Sequence, residues 1–437
     1  MAAGRISTVR ALLFALLLPV ASLQPVHALA AVVPERPAAF AAAPQVAADA
    51  GTGDFARLAA PKAERPTPEP SPNAVLVRWL PGASAGARAR DLKAAGGRVT
   101  AQLPNGWTVA TGKAAAALRD RLARASSVAR VEPDLRRRAA GEDVLYAKAQ
   151  RSVLEAVRWP EARNLAGTPA AGLVVAVVDT GVAANHPDLA GRVLPGYDAT
   201  GAGTGGADDN GHGTAVAGIV AGKTGNDEGI SGVASGVSIL PVKVLDADGY
   251  GYDSDVAEGV RWAADHGADI INMSLSGLGS TTVLADAVAY AHSRGVVLVA
   301  AVGNFIGGAL TYPASYPDVL SVGATDGSGD VVDFSQWNEE VDLVAPGVDV
   351  FTTYGGSSLG YVRADGTSFS AALVSGAAAL VRTQQPTWSA DQVAARLTAT
   401  AREAGPYGRD RYYGSGLLDM AAALGAAARP VSGPRGT

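Results

Sequence analysis

Residues 173–178 are apolar without alternation, and 238–244, 269–275, 296–302 and 319–323 are similar, mostly apolar runs. An uninterrupted apolar run of strand length is what a strand buried on both faces requires, because neither set of alternating side chains meets water. Between and after these runs the spacing predicts helices over 214–221, 253–266, 282–294 and 369–382. Strands alternating with helices predict an α/β unit, a parallel sheet covered on both sides. On such a sheet ligands bind beyond the carboxyl ends of the strands.

A smaller pattern precedes it. Strands are predicted over 74–79, 98–103, 107–111 and 127–131, and helices over 84–95 and 113–125, with Pro104-Asn105-Gly106 as a hairpin turn. The order β-α-β-β-α-β is that of a split βαβ unit. Upstream, residues 31–72 are rich in Ala and Pro and end in Pro66-Thr67-Pro68-Glu69-Pro70-Ser71-Pro72, which reads as a linker that cannot order itself. Residues 1–30 carry Arg5 and Arg10, a short apolar run over 11–20 and a small-residue Ala28-Leu29-Ala30 site, the layout of a secretory signal peptide. Pro19 interrupts that run well before the ~20 residues a membrane span needs, so an exported chain with no membrane anchor is expected. The expected division is 1–30 signal, 31–72 linker, 73–138 small domain, 139–425 α/β domain and 426–437 tail.

Charge separates the two folded parts. Residues 1–138 carry 19 Lys and Arg against 9 Asp and Glu, whereas residues 139–437 carry 17 against 32. A basic segment facing an acidic one favours docking of one on the other over a nucleic-acid arm. The 437 residues contain no cysteine, which excludes disulfides, thiolate metal sites and cysteine nucleophiles.

Three motifs carry chemistry. Asp179 closes an apolar strand in Val178-Asp179-Thr180-Gly181-Val182, His212 stands in Asp209-Asn210-Gly211-His212-Gly213-Thr214, and Ser368 follows Gly366-Thr367 ahead of an apolar helix. A serine hydroxyl becomes a nucleophile when a histidine takes its proton, and the histidine needs a carboxylate to fix its tautomer. Each motif alone is weak: an Asp after a strand is more often a helix N-cap, and Gly-Thr-Ser is a common tripeptide. Together, in the order Asp, His, Ser, they resemble the subtilisin-like serine proteases (subtilases, peptidase family S8), from about Tyr146 to Asp419. Val299-Ala300-Ala301-Val302-Gly303-Asn304, Tyr312-Pro313-Ala314-Ser315-Tyr316-Pro317 and Val344-Ala345-Pro346-Gly347-Val348 strengthen the resemblance, and the small domain is similar to the family's inhibitory propeptides.

The resemblance implies a three-layer subtilisin-like fold with a mostly parallel central sheet, preceded by a small α+β, ferredoxin-like propeptide domain. It implies a secreted endopeptidase in which Asp179, His212 and Ser368 form the triad and the Asn304 amide donates to the oxyanion. Substrate is expected along Ser274, Leu275, Ser276 and Gly277, with Ala301 and Gly303 as the facing wall. Phe305, where relatives often carry an acid, is expected to favour uncharged or bulky apolar side chains before the scissile bond. No cofactor is needed for catalysis. A structural calcium is admitted at Asp188, Asn226 and the carbonyls of Glu228 and Ile230, which are hard oxygen ligands. Expected partners are protein or peptide substrates and the chain's own propeptide as inhibitor, cut off between roughly Asp134 and Tyr146; neither nucleic acid nor membrane is expected, and the enzyme should be monomeric. The glycine-rich stretch 201–206 and the phosphate-loop-like 217–224 lack the strand-to-helix context of a nucleotide site. An inactive fold kept as a binding module is the remaining rival, opposed by four intact site residues.

Overall fold

The computed structural model describes residues 45–48, 56–58, 70–103, 106–135, 143–167, 170–226, 228–355 and 359–428. The expected signal peptide, most of the expected cut region and most of the tail lie outside them.

Seven parallel strands form the central sheet, in the order Leu343–Pro346, Val319–Thr325, Val297–Ala301, Ile270–Met273, Val174–Asp179, Ser238–Lys243, Tyr197–Asp198. The apolar runs become its interior, and Val175 through Val178 are fully buried. Helices His212–Ala221 and Thr367–Gln384 pack into one apolar core on one face. Helices Asp253–Asp265 and Thr282–Ser293 pack into a second core on the other. The sheet thus has the three layers expected, and its strand order reverses direction beside Val174–Asp179. A crevice opens at the carboxyl ends of strands where the order reverses, and Asp179 ends the strand at that place.

The small domain has four antiparallel strands in the order Gly97–Gln102, Trp107–Gly112, Pro70–Trp79, Val128–Leu135, with helices Ala85–Ala94 and Ala115–Leu122. Val75, Val77, Leu92, Ala110, Leu118 and Leu122 make a core of its own. Trp79 is anchored within it by its indole N–H, which donates to Thr108 Oγ1 at 2.8 Å.

The stretch expected to be an unordered linker needs correction. Gln45–Ala48 forms a strand between Tyr250–Tyr252 and Leu275–Leu278, antiparallel to both, and Ala56–Leu58 pairs with Gly360–Ala364. Composition reports only what a segment can bury by itself. These short strands are ordered by the open backbone edges of the α/β domain, which supply hydrogen bonds the segment lacks alone. Among the described residues, no helix is long and apolar enough to cross a membrane.

Candidate active site

The site begins where a strand end and a helix start touch. Gly181 turns the chain after Asp179 with φ 108°, and a Cβ there would lie 2.5 Å from the Ala207 carbonyl oxygen. Opposite, Gly211 with φ 113° leads into the helix that opens at His212. A Cβ on Gly213 would fall 2.1 Å from the Gly181 carbonyl oxygen. Only bare backbone at 213 allows this approach, and the approach brings His212 Nδ1 to 2.8 and 3.0 Å from the two oxygens of Asp179. Asp179 Oδ1 also accepts the Thr180 N–H at 2.7 Å, which fixes the carboxylate plane. Both side chains are fully buried.

Two residues that sequence reasoning missed hold this contact. Asp208 accepts from the Thr180 hydroxyl at 2.9 Å and from the N–H groups of Asn210, Gly211 and Thr214 at 2.9–3.0 Å, and Thr180 Oγ1 accepts the Gly213 N–H at 3.0 Å. One carboxylate therefore ties the Asp179 turn to the start of the His212 helix, whose positive end favours it. Lys243, buried behind the turn, donates to the Thr180 and Leu245 carbonyls and to Asp209 at 2.7–3.0 Å. The available signal was the Asp208-Asp209 pair just ahead of the helix start.

Burial pushes the His212 imidazole down, but the charge and hydrogen bond of Asp179, joined by the charge of Asp208, outweigh it and hold the group above its ordinary value. Its Nε2 is buried and has no hydrogen-bond partner among the described residues. A base with one nitrogen fixed on a carboxylate and the other uncommitted is built to accept a proton.

Ser368 lies in the first turn of the 18-residue helix Thr367–Gln384. Its hydroxyl donates to the Ser274 carbonyl at 3.2 Å, and no hydrogen bond joins it to His212 Nε2. In return the Ser274 hydroxyl donates to the Ser368 carbonyl at 2.9 Å and accepts from Asn272 Nδ2 at 2.8 Å. Asn304 Oδ1 accepts the Thr367 N–H at 3.1 Å, which orients the amide so that its other end is the donor. The four expected catalytic residues thus meet at the carboxyl edge of the sheet, each delivered by a strand end or a helix start.

The strand Leu275–Leu278 follows Ser274, which is hydrogen-bonded to Ser368, and the Gly303 N–H donates to Thr367 Oγ1 at 3.2 Å. The Leu275 and Ala301 side chains are buried in the two cores, so these two residues can offer only backbone to a ligand. The strand is also not a free edge here: Ala47 lies opposite Ser276 and Ala48 opposite Leu275. His186, the rival histidine, is held structurally, with Nε2 on the Gly360 carbonyl at 2.8 Å and Nδ1 accepting the Asp188 N–H at 3.2 Å.

The expected cation ligands converge in part. Asp188 Oδ2 accepts from the Ile230 N–H at 3.0 Å and the Tyr361 hydroxyl at 2.9 Å, while Asn226 Oδ1 accepts the Glu228 N–H at 3.1 Å. Asp143, not foreseen, binds the same loop through the Gly225 and Asn226 N–H groups and the Ser231 hydroxyl. Burial, with the Asp143 charge adding to it, pushes Asp188 up to about 6. A buried carboxylate raised in this way, beside a second one, is a hard oxygen donor of the kind a cation takes, and here both carboxylates accept from N–H and hydroxyl groups of the loop and of Tyr361.

Comparison with known proteins agrees with this geometry. The family model described as "Subtilase family" matches residues 170–416. Subtilisin BL of Lederbergia lenta is 42% identical over 271 residues, 61% of this chain and 96% of that protein. A solved protease from Pseudoalteromonas arctica aligns with TM-score 0.59 and 31% identity over 65% of this chain and 99% of its own. Fervidolysin from Fervidobacterium pennivorans, described as a keratinolytic enzyme related to subtilisin, aligns with TM-score 0.59 and 27% identity over 86% of this chain and 64% of its own.

The raised imidazole gives a direct expectation. Below its pKa the ring carries the proton and cannot accept another, so acceptance sets in only at pH above it. An NMR titration of His212 should give a pKa above ~6.5, the ordinary imidazole value, and Asp208→Asn should lower it by removing one raising charge. A value at or below the ordinary one, or one indifferent to Asp208→Asn, contradicts this balance of charges.

Proposed function

The chain belongs to the subtilase family and is a subtilisin-like serine endopeptidase, and from that premise we propose that Ser368, His212, Asp179 and Asn304 divide its chemistry as follows. The Ser368 hydroxyl turns from the Ser274 carbonyl to His212 Nε2, gives up its proton there and attacks the peptide carbonyl carbon. Asp179 holds the Nδ1 proton and stabilises the imidazolium. The carbonyl oxygen, now negative, is received by the Asn304 amide and the Ser368 N–H at the positive end of its helix. His212 passes its proton to the departing amine, leaving an acyl-enzyme that water hydrolyses by the same sequence. The observation that carries this reading is the buried His212, fixed on Asp179 at one nitrogen and without a partner at the other among the described residues.

Substrate would lie as an extended strand on the backbone of Ser274 to Gly277, faced by Ala301 to Gly303. The pairing of residues 45–48 with the same strand supports this, since it is an extended segment added to that edge. We further propose that the enzyme is secreted as a precursor, that the basic small domain restrains and then leaves the acidic catalytic domain, and that the mature enzyme is a monomer. A calcium ion would be held by Asp188 with Asn226 and the carbonyls of Glu228 and Ile230, and Asp143 would add its charge. When bound it supplies a countercharge that lets the buried Asp188 stay ionised.

Expression of the precursor beside its Ser368→Ala variant tests the reading. The wild type should shorten by the small domain and everything before it and should hydrolyse casein, while the variant stays long and inert. A variant that is still trimmed in the absence of other proteases refutes self-processing, and an inert wild type refutes the assignment of the triad. For the cation, a chelator should lower the thermal midpoint of the Ser368→Ala precursor and calcium should restore it. A midpoint indifferent to both removes the ion from the account.

A further inference from the structure

The wall beside the nucleophile contains a hydroxyl that the reaction does not use. Ser276 is fully buried on the strand Leu275–Leu278, and its Oγ finds no hydrogen-bond partner among the described residues. The side chain of Leu275 enters the apolar core under the strand. Alternation therefore sends Ser276 to the opposite face, away from that core.

On that face it meets the second wall. A Cβ built on Gly303 would lie 2.9 Å from Ser276 Oγ and 3.2 and 3.3 Å from two carbons of the Phe305 ring. The hydroxyl, the Gly303 backbone and the Phe305 ring thus converge on one point. Ser274, two residues before Ser276, holds the Ser368 hydroxyl at 3.2 Å, and Asn304 directly follows Gly303. The point lies between the two strands that flank the nucleophile, where the side chain preceding the scissile bond must enter.

Building on the endopeptidase reading above, we propose that Ser276 bridges this slot and makes the enzyme select peptides with a small side chain, alanine or serine, before the cleaved bond. A flat aromatic ring needs two bare backbone walls to slide between. Here one wall carries a side chain that already reaches the other, and the Phe305 ring, 48% exposed, closes the side of the slot. Phe305 keeps the slot uncharged, as the sequence suggested, but its expected preference for bulky apolar groups is overruled by the Ser276 hydroxyl. That hydroxyl is buried without a partner among the described residues, with residues 45–48 paired along the same strand. A serine side chain in the slot can supply the missing bond, and a buried polar group left unpaired by the wrong ligand discriminates against it.

The test compares peptides that differ only in the residue before the scissile bond, Ala, Ser or Phe, on the mature enzyme and on Ser276→Gly and Ser276→Ala. The wild type should favour Ala over Phe in kcat/KM by about tenfold or more, within the range a small change of pocket size commands. Ser276→Gly should raise the Phe-to-Ala ratio by a similar factor. Ser276→Ala, which keeps most of the bulk without the hydroxyl, should stay selective for small residues but lose the advantage of Ser over Ala. A wild type that favours Phe, or a ratio unmoved by Ser276→Gly, overturns the proposal while leaving the protease reading intact. If the wild type cleaves none of the peptides, and casein also survives, both fall together.

Discussion

The structure depends on one close approach: the backbone of Gly213 against the carbonyl of Gly181. A buried imidazolium is costly unless a carboxylate meets it directly, and Asp179 and His212 meet because a strand end and a helix start come together with no side chain between them. Asp208 and Lys243 serve that approach from either side. Asp208 satisfies the helix-start N–H groups and the Thr180 hydroxyl, and Lys243 satisfies the carbonyl of the same turn. The raised basicity of His212 follows from the same packing.

The nucleophile is held by a second buried polar chain. The Ser375 hydroxyl donates to Asn272 Oδ1 at 2.9 Å, Asn272 Nδ2 donates to Ser274, and Ser274 exchanges hydrogen bonds with Ser368. A fully satisfied chain of this kind holds its members in one arrangement. It binds the helix carrying Ser368 to the strand that precedes the substrate wall. The base and the nucleophile thus have distinct hydrogen-bond chains on two helices that share one apolar core, with the Phe369 ring 5.9 Å from the His212 ring.

Much of this was legible in the sequence, for identifiable reasons. Strands buried on both faces announce themselves as unbroken apolar runs, so the end of Val174–Asp179 and the place of Asp179 could be read directly. Helix starts were less legible: both site helices begin two residues before their predicted starts, after Gly211 and Gly366, neither of which offers a side-chain cap. The strands at 45–48 and 56–58 were invisible because their order comes from distant partners and not from their own composition. Asp208, Lys243 and Asp143 were missed for a related reason, and Ser276 was expected in the substrate wall but not its closeness to Gly303. Their meaning lies in what they touch across loops, and residue type at a position does not state that.

The central claim is that Ser368 is activated by His212 once its hydroxyl leaves Ser274. Its most direct test is labelling of the mature enzyme with a small phosphonylating reagent, followed by peptide mapping at several pH values. The account predicts a single adduct on Ser368, formed more slowly as His212 is protonated and lost in His212→Ala. An adduct on another serine, or labelling of Ser368 that ignores both pH and His212, would contradict it.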